Sequence, residues 1–174
     1  RIEVLGKHTD YGGGRSIVTT VERGFCILAV PREDNVVTIV AAGDRKRVEL
    51  QISPEIVLPE SGWTNYPITV LRRMSRNFGE LQGADIAFIS DLPQAAGLSS
   101  SSAFMISIFL SIATRNNLFS SRLYKSNINT DLDLAAYLGT IENGQNYGVL
   151  LGDRGVGTFG GSEDHTAIIC SSPN

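Results

Sequence analysis

The chain predicts an α+β sandwich with helices on one face of a mixed sheet. Three observations carry that expectation. Residues 1–5, 16–31, 35–44 and 45–53 read as strands, with breaks at Gly24 and Glu33-Asp34-Asn35. Segments with a helical apolar pattern follow, at 64–78, 103–113 and 129–143. One further strand, 85–90, lies between the first two of those helices.

Taken in order, RIEVL at 1–5 alternates polar and apolar residues, as a half-buried strand does. Gly6 to Gly14 is a glycine-punctuated loop carrying Lys7, His8, Thr9 and Asp10. The strands at 16–31, 35–44 and 45–53 are expected to form a meander, and 54–62 is a polar connection containing Pro54 and Pro59. Ile68, Leu71, Met74 and Phe78 set the period of the first helix, and Gly79 is its expected stop. After the 85–90 strand, Pro93 blocks helical continuation and Gly97 permits backbone angles that other residues resist. Ser99 to Ser102 then open a helix that is apolar from Ala103 to Ala113 except at Ser107 and Ser111. Leu132, Leu134, Ala135, Leu138 and Ile141 mark the 129–143 helix. Residues 144–161 are a glycine-dense loop, and 166–170 is expected to close the chain as a last strand.

A length of 174 residues favours one domain with a sizeable core. Apolar content of 42% and charged content of 19% suit a globular protein in water. The net charge of −3 argues against a nucleic-acid or anionic-membrane surface. The apolar run at 103–113 is too short to span a bilayer, and no targeting peptide is visible. Cys26 and Cys170 are far apart and have no metal-binding spacing, so free thiols in a reducing, cytoplasmic setting are expected. The chain begins at Arg1 rather than methionine, so an N-terminal piece is expected to be missing.

Three stretches carry chemistry. A helix that starts in a serine cluster presents unpaired amides and the positive end of its dipole, which suits a phosphate. Its hydroxyls can add hydrogen bonds to phosphate oxygens or ligate Mg²⁺; the plainer alternative is a capped core helix. No Gly-Lys-Ser/Thr follows, so this is not a Walker A loop. His8 and Asp10 can orient sugar hydroxyls, Asp as acceptor and His as either partner, or can belong to a solvated turn. Gly157 to His165, with Glu163 and Asp164 after a Gly160-Gly161 pair, is either a site or a turn.

Pro93-x-x-x-Gly97-Leu98-Ser99-Ser100-Ser101 resembles the phosphate loop of the GHMP small-molecule kinases, in its galactokinase form. Ala95 and Ala96 stand where galactokinases usually carry glycine. Arg1-x-x-x-x-Gly6-x-His8-Thr9-Asp10-Tyr11 resembles the galactokinase signature, with Lys7 in place of the usual glutamate and Gly12 in place of asparagine. Gly161 and Asp164 match the spacing at which a glycine precedes the family's catalytic Asp, and His165 replaces the usual glutamine.

The resemblance implies the ribosomal-protein-S5-domain-2-like topology of a GHMP kinase N-terminal domain over 1–174, incomplete at its N-terminus and without the C-terminal domain. It implies an ATP-dependent sugar 1-kinase that transfers the γ-phosphate to the anomeric hydroxyl of a monosaccharide, with ATP and Mg²⁺ as cofactors. By that resemblance Gly97, Leu98, Ser99, Ser100 and Ser101 bind ATP. Ser101 and Glu142 hold Mg²⁺, with Asp153 as the other candidate. Asp164 is the base, and Arg1 keeps it ionised and stabilises developing charge. Lys7, His8, Asp10 and Gly161 contact the sugar. Two rivals stay open: a non-catalytic sugar sensor on the same scaffold, or a GHMP kinase for a different small molecule.

Overall fold

A computed structural model of the chain describes residues 1–6, 9, 12–58, 62–93, 96–157 and 160–172. Its strands are β1 (Ile2–Leu5), β2 (Ile17–Thr19), β3 (Phe25–Pro31), β4 (Val36–Ala41), β5 (Lys46–Gln51) and β6 (Ala84–Ser90). Its helices are α1 (Asn65–Phe78), α2 (Ser100–Arg115), α3 (Arg122–Lys125), α4 (Asp131–Asn143) and α5 (Glu163–Cys170).

Four strands form a mixed sheet in the order β3-β6-β4-β5. β6 runs antiparallel to β3 and parallel to β4. The period of two sends Val37 and Ile39 of β4 and Ala84 and Ile86 of β6 into the core, while Leu28, Val30 and Ile89 stay exposed on the other face. All helices therefore cover one face, as the element order predicts.

The meander holds for β4 and β5, which pair antiparallel, and is corrected for β3. β3 and β4 are joined by a short turn, yet they do not pair, because β6 lies between them. The Gly83 N–H donates to Asp34 O at 2.7 Å, and the Arg32 N–H donates to Gly83 O at 3.1 Å. This pins the start of β6 inside the β3–β4 turn. Only glycine fits there, since an added Cβ would stand 1.8 Å from the Val36 carbonyl oxygen. β1 and β2 form a separate antiparallel pair that carries the chain start toward the helices.

α2 is apolar on nearly every side, and Met105, Ile108, Phe109 and Ile112 are fully buried. That makes it the central helix, packed between the sheet and the other helices. Burying one such side chain contributes about 1.5–3 kcal/mol. α1 turns Ile68, Val70, Leu71 and Met74 inward and ends at Gly79, whose N–H bonds Ser75 O at 2.9 Å. α4 opens with a capping box, in which Thr130 and Asp133 each satisfy the other's backbone N–H. A 3₁₀ turn at Leu118–Ser120 and the short α3, capped by Ser121, fill a stretch too brief for any period to show.

The last strand is also corrected. Residues 163–170 form α5, with Glu163 and Asp164 in its first turn, where acids complement the dipole. The β-branched run Thr166, Ile168, Ile169 suggests a strand by residue type, and a short apolar run does not distinguish the two. Packing against α4 and α2 decides for the helix.

The glycine-dense segment after α4 folds back on the helix that it leaves. Val156 N–H donates to Glu142 O at 2.9 Å, and Arg73, buried beside Tyr137, donates to Gln145 O at 2.8 Å. Gly155 lies so close to α4 that a Cβ would meet the Glu142 carbonyl oxygen at 2.2 Å. Among the described residues no helix is long and apolar enough to cross a membrane.

Candidate active site

The ends of four elements meet at one place. Arg1 and Glu3 come from the start of β1, and the serines from the N-terminus of α2. Glu142 comes from the last turn of α4, and Glu163, Asp164 and His165 from the first turn of α5. The Arg1 Nε donates to Asp164 Oδ1, and Arg1 Nη1 stands 3.2 Å from Glu3 Oε2. Glu163 Oε1 is 4.0 Å from the Arg1 Nε. Burial alone would lower the pKa of this guanidinium. The Asp164, Glu163 and Glu3 carboxylates outweigh burial and hold it above its ordinary value. The Arg1 backbone nitrogen also donates to Leu98 O at 2.9 Å, which ties this strand to the serine loop.

At the head of α2, Gly97 and Ser99 have φ of 68° and 55°. The left-handed region costs a non-glycine residue roughly 1 kcal/mol or more, and such strain gathers at functional sites. The Ser99 side chain makes no cap bond, and the helix ladder begins with Ala103 N–H to Ser99 O at 3.0 Å. First-turn amides without a side-chain cap are suited to an anion.

Ser102 is fully buried, and its Oγ donates to Glu142 Oε2 at 2.8 Å and lies 3.5 Å from Asp164 Oδ2. Burial raises the Glu142 pKa, the Ser102 hydrogen bond opposes this, and the Asp164 charge adds to it. His165 is 1% exposed, with Nε2 3.4 Å from Glu142 Oε2. Burial pushes this imidazole down to about 4, against the pull of Asp164, so it is neutral at pH 7.

The structure brings Arg1, Glu142 and Asp164 together, with Leu98 bonded to Arg1. Gly161 stands just before α5. Glu142, rather than Asp153, meets the serine helix. Asp153 accepts from Arg72 at 2.6 and 3.0 Å, with Arg76 at 3.7 Å, and so fastens the 144–157 segment to α1. The hydroxyl bonded to Glu142 is that of Ser102, whereas Ser100 and Ser101 line an open cleft. Lys7, His8 and Asp10, like Ala95, lie outside the described residues.

That cleft, of about 550 Å³, runs from Ser100 and Ser101 along Phe25, Trp63, Phe88 and Phe104. Phe88 and Phe104 are 4.6 Å apart between ring centroids, and Phe25 and Phe104 stack at 5.3 Å. The sequence reading missed it because its rings come from four separate segments. Ser102 was legible: with Met105, Phe109 and Ile112 it makes the inward stripe of a helix that starts at Ser100. Glu3 sits two residues from Arg1 in an alternating strand and therefore shares its face.

Chemically, the arrangement can hold an anion at the α2 terminus and a flat ring in the aromatic cleft, and it presents the Asp164 carboxylate, 28% exposed, beside Arg1. Among the described residues no group of three or more His, Cys, Asp or Glu forms a metal cage. Hydroxyl and carboxylate oxygens at the helix start fit Mg²⁺ better, since that ion takes one or two protein oxygens and completes its shell with phosphate and water.

Comparison with known proteins identifies the family and the fold. The family described as GHMP kinases N terminal domain matches residues 65–161, more than half of the chain. A galactokinase of Roseiflexus sp. (strain RS-1) is 33% identical over 118 residues, 68% of this chain and 30% of the relative. A galactokinase of Glaesserella parasuis serovar 5 (strain SH0165) is 35% identical over 109 residues, 62% of this chain and 28% of the relative. The chain thus spans less than a third of the length of these curated relatives. Among solved structures, Lactococcus lactis galactokinase complexed with galactose superposes with a TM-score of 0.74 at 23% identity, covering 95% of this chain and 39% of that one. The Methanococcus jannaschii mevalonate kinase gives 0.64 at 16% identity, covering 82% of this chain and 43% of that one. By its sequence match the chain belongs to the GHMP kinase family, and by its fold it shares the architecture of galactokinase and mevalonate kinase.

Proposed function

We propose that the chain is the N-terminal, nucleotide- and sugar-binding domain of a galactokinase-like sugar kinase. It would transfer the γ-phosphate of ATP to the anomeric hydroxyl of a monosaccharide. The observation that carries this reading is the Arg1–Asp164 ion pair set against Ser102 and Glu142 at the uncapped start of α2.

Phosphoryl transfer depends on positioning and charge neutralisation more than on covalent chemistry. The base of ATP would lie against the rings of Phe88, Phe104 and Trp63. Its phosphates would follow the amides of Ser99 to Ser101 at the α2 terminus. Ser101 and Glu142 would hold Mg²⁺, which supplies charge neutralisation on the phosphate oxygens when bound. Asp164 takes the proton from the anomeric hydroxyl, and Arg1, charged throughout, orients that carboxylate and stabilises developing negative charge. Lys7, His8, Asp10 and Gly161 would contact the sugar. The product would be a sugar 1-phosphate and ADP.

The test is ATP consumption by the full-length protein against galactose, galacturonate, fucose and arabinose, in wild type and Lys7→Glu. The reading expects Mg²⁺-dependent turnover of at least one sugar, with the preference among sugars altered by Lys7→Glu. Sugar binding with no turnover on any of them would favour the sensor instead.

A further inference from the structure

His165 is buried, and among the described residues neither of its ring nitrogens has a hydrogen-bond partner. An unsatisfied buried polar ring is costly, and this one is aimed at a carboxylate. Its Nε2 lies 3.4 Å from Glu142 Oε2, the same oxygen that accepts the Ser102 hydroxyl at 2.8 Å. Glu142 Oε1 takes no hydrogen bond among the described residues. Two protein groups thus converge on one oxygen of Glu142 and neither on the other.

We infer that His165 is a positioning residue for the cation-binding carboxylate: its Nε2–H donates to Glu142 Oε2, which leaves Oε1 as the oxygen that would hold the divalent cation. The inference rests on the proposed role of Glu142. The tautomer follows from the geometry. A neutral imidazole has one donor and one acceptor nitrogen. With the proton on Nδ1, a buried N–H would lack an acceptor among the described residues, and the Nε2 lone pair would face the carboxylate oxygen. With the proton on Nε2, the donor faces that oxygen, and a small inward shift completes the bond. A ligating carboxylate held in this way keeps one orientation, and loss of such a partner typically weakens metal binding about 10–100-fold.

Two measurements on the full-length protein test this. The first is ¹⁵N NMR of histidine-labelled protein, in which the ring signal missing from His165→Gln identifies His165. The Nε2–H tautomer is expected, and an Nδ1–H tautomer overturns the inference. The second is Mn²⁺ affinity, read by electron paramagnetic resonance with a non-hydrolysable ATP analogue. His165→Phe should raise the Mn²⁺ Kd about tenfold or more, while His165→Gln, which keeps a donor, stays within about threefold of wild type. An unchanged Kd in His165→Phe overturns the positioning role but leaves the kinase reading intact. Absence of Mn²⁺ binding in wild type overturns both.

Discussion

Ser101 and Ser102 are neighbours in sequence, but the start of α2 gives them different surroundings. Ser101 lines the aromatic cleft, and Ser102 lies buried between Glu142 and Asp164. Their alanine variants should separate accordingly. Ser101→Ala should raise the Mg²⁺ concentration needed for turnover while leaving the melting temperature and sugar affinity near wild type. Ser102→Ala should lower stability as well, by about 1–2 kcal/mol, because it removes a buried bond to a carboxylate; denaturant titration measures it. His165 makes a pH prediction. Its pKa falls from 6.5 to about 4 on folding, so between those values the unfolded chain binds more protons. Stability should therefore drop as pH falls from 6.5 toward 4, by about 3 kcal/mol in full. Glu142, with its raised pKa, acts in the opposite direction, so the His165 contribution is the difference between wild type and His165→Gln. A flat difference across that range would contradict the buried neutral ring. At this scale Arg1 and Asp164 were named from motif spacing, and the structure brings them together. Ser102 and Glu3 were within reach of the helical and strand periods, whereas the pairing of His165 was not, because it depends on which way a turn faces its neighbours.

Elements show where local pattern suffices and where packing decides. The first and last long helices, α1 and α4, were legible because their apolar residues recur over several turns and Gly79 and Gly144 end them. α5 was not, because eight residues with three β-branched side chains fit either period. The segment after α4 read as a loop, and among its described residues it forms no helix or strand beyond an isolated bridge between Tyr147 and Leu150. Its ordering comes instead from Arg72, Arg73 and the close approach of Gly155 to Glu142. That contact predicts a coupled effect. In Gly155→Ala the new methyl would collide with the Glu142 carbonyl at the end of α4. Stability should fall by about 2 kcal/mol or more, and Mn²⁺ affinity should fall with it, because the carboxylate of that same residue faces the site. A destabilised variant with unchanged Mn²⁺ affinity would separate the loop from the site.

For the whole molecule, the strand and helix order predicted the layered sandwich, because a sheet with one apolar face must be covered. The β4–β5 pairing was legible, but the partners of β3 and β6 were not. β6 separates β3 from β4 across more than forty residues of chain, through backbone contacts at Gly83 that no periodicity encodes. That arrangement matters for chemistry, since β6 delivers the chain to the start of α2, where the uncapped amides meet Glu142, Arg1 and Asp164. The central claim is that Asp164 acts there as the base in sugar phosphorylation. The most direct measurement is ³¹P detection of sugar 1-phosphate formed from ATP and free sugar by the full-length protein, in wild type and Asp164→Asn. The account predicts an anomeric phosphate from wild type, with kcat lowered about 10²-fold or more in Asp164→Asn and Michaelis constants within a few-fold. Phosphate on another hydroxyl, or near-normal turnover in Asp164→Asn beside a crippled Glu163→Gln, would contradict it.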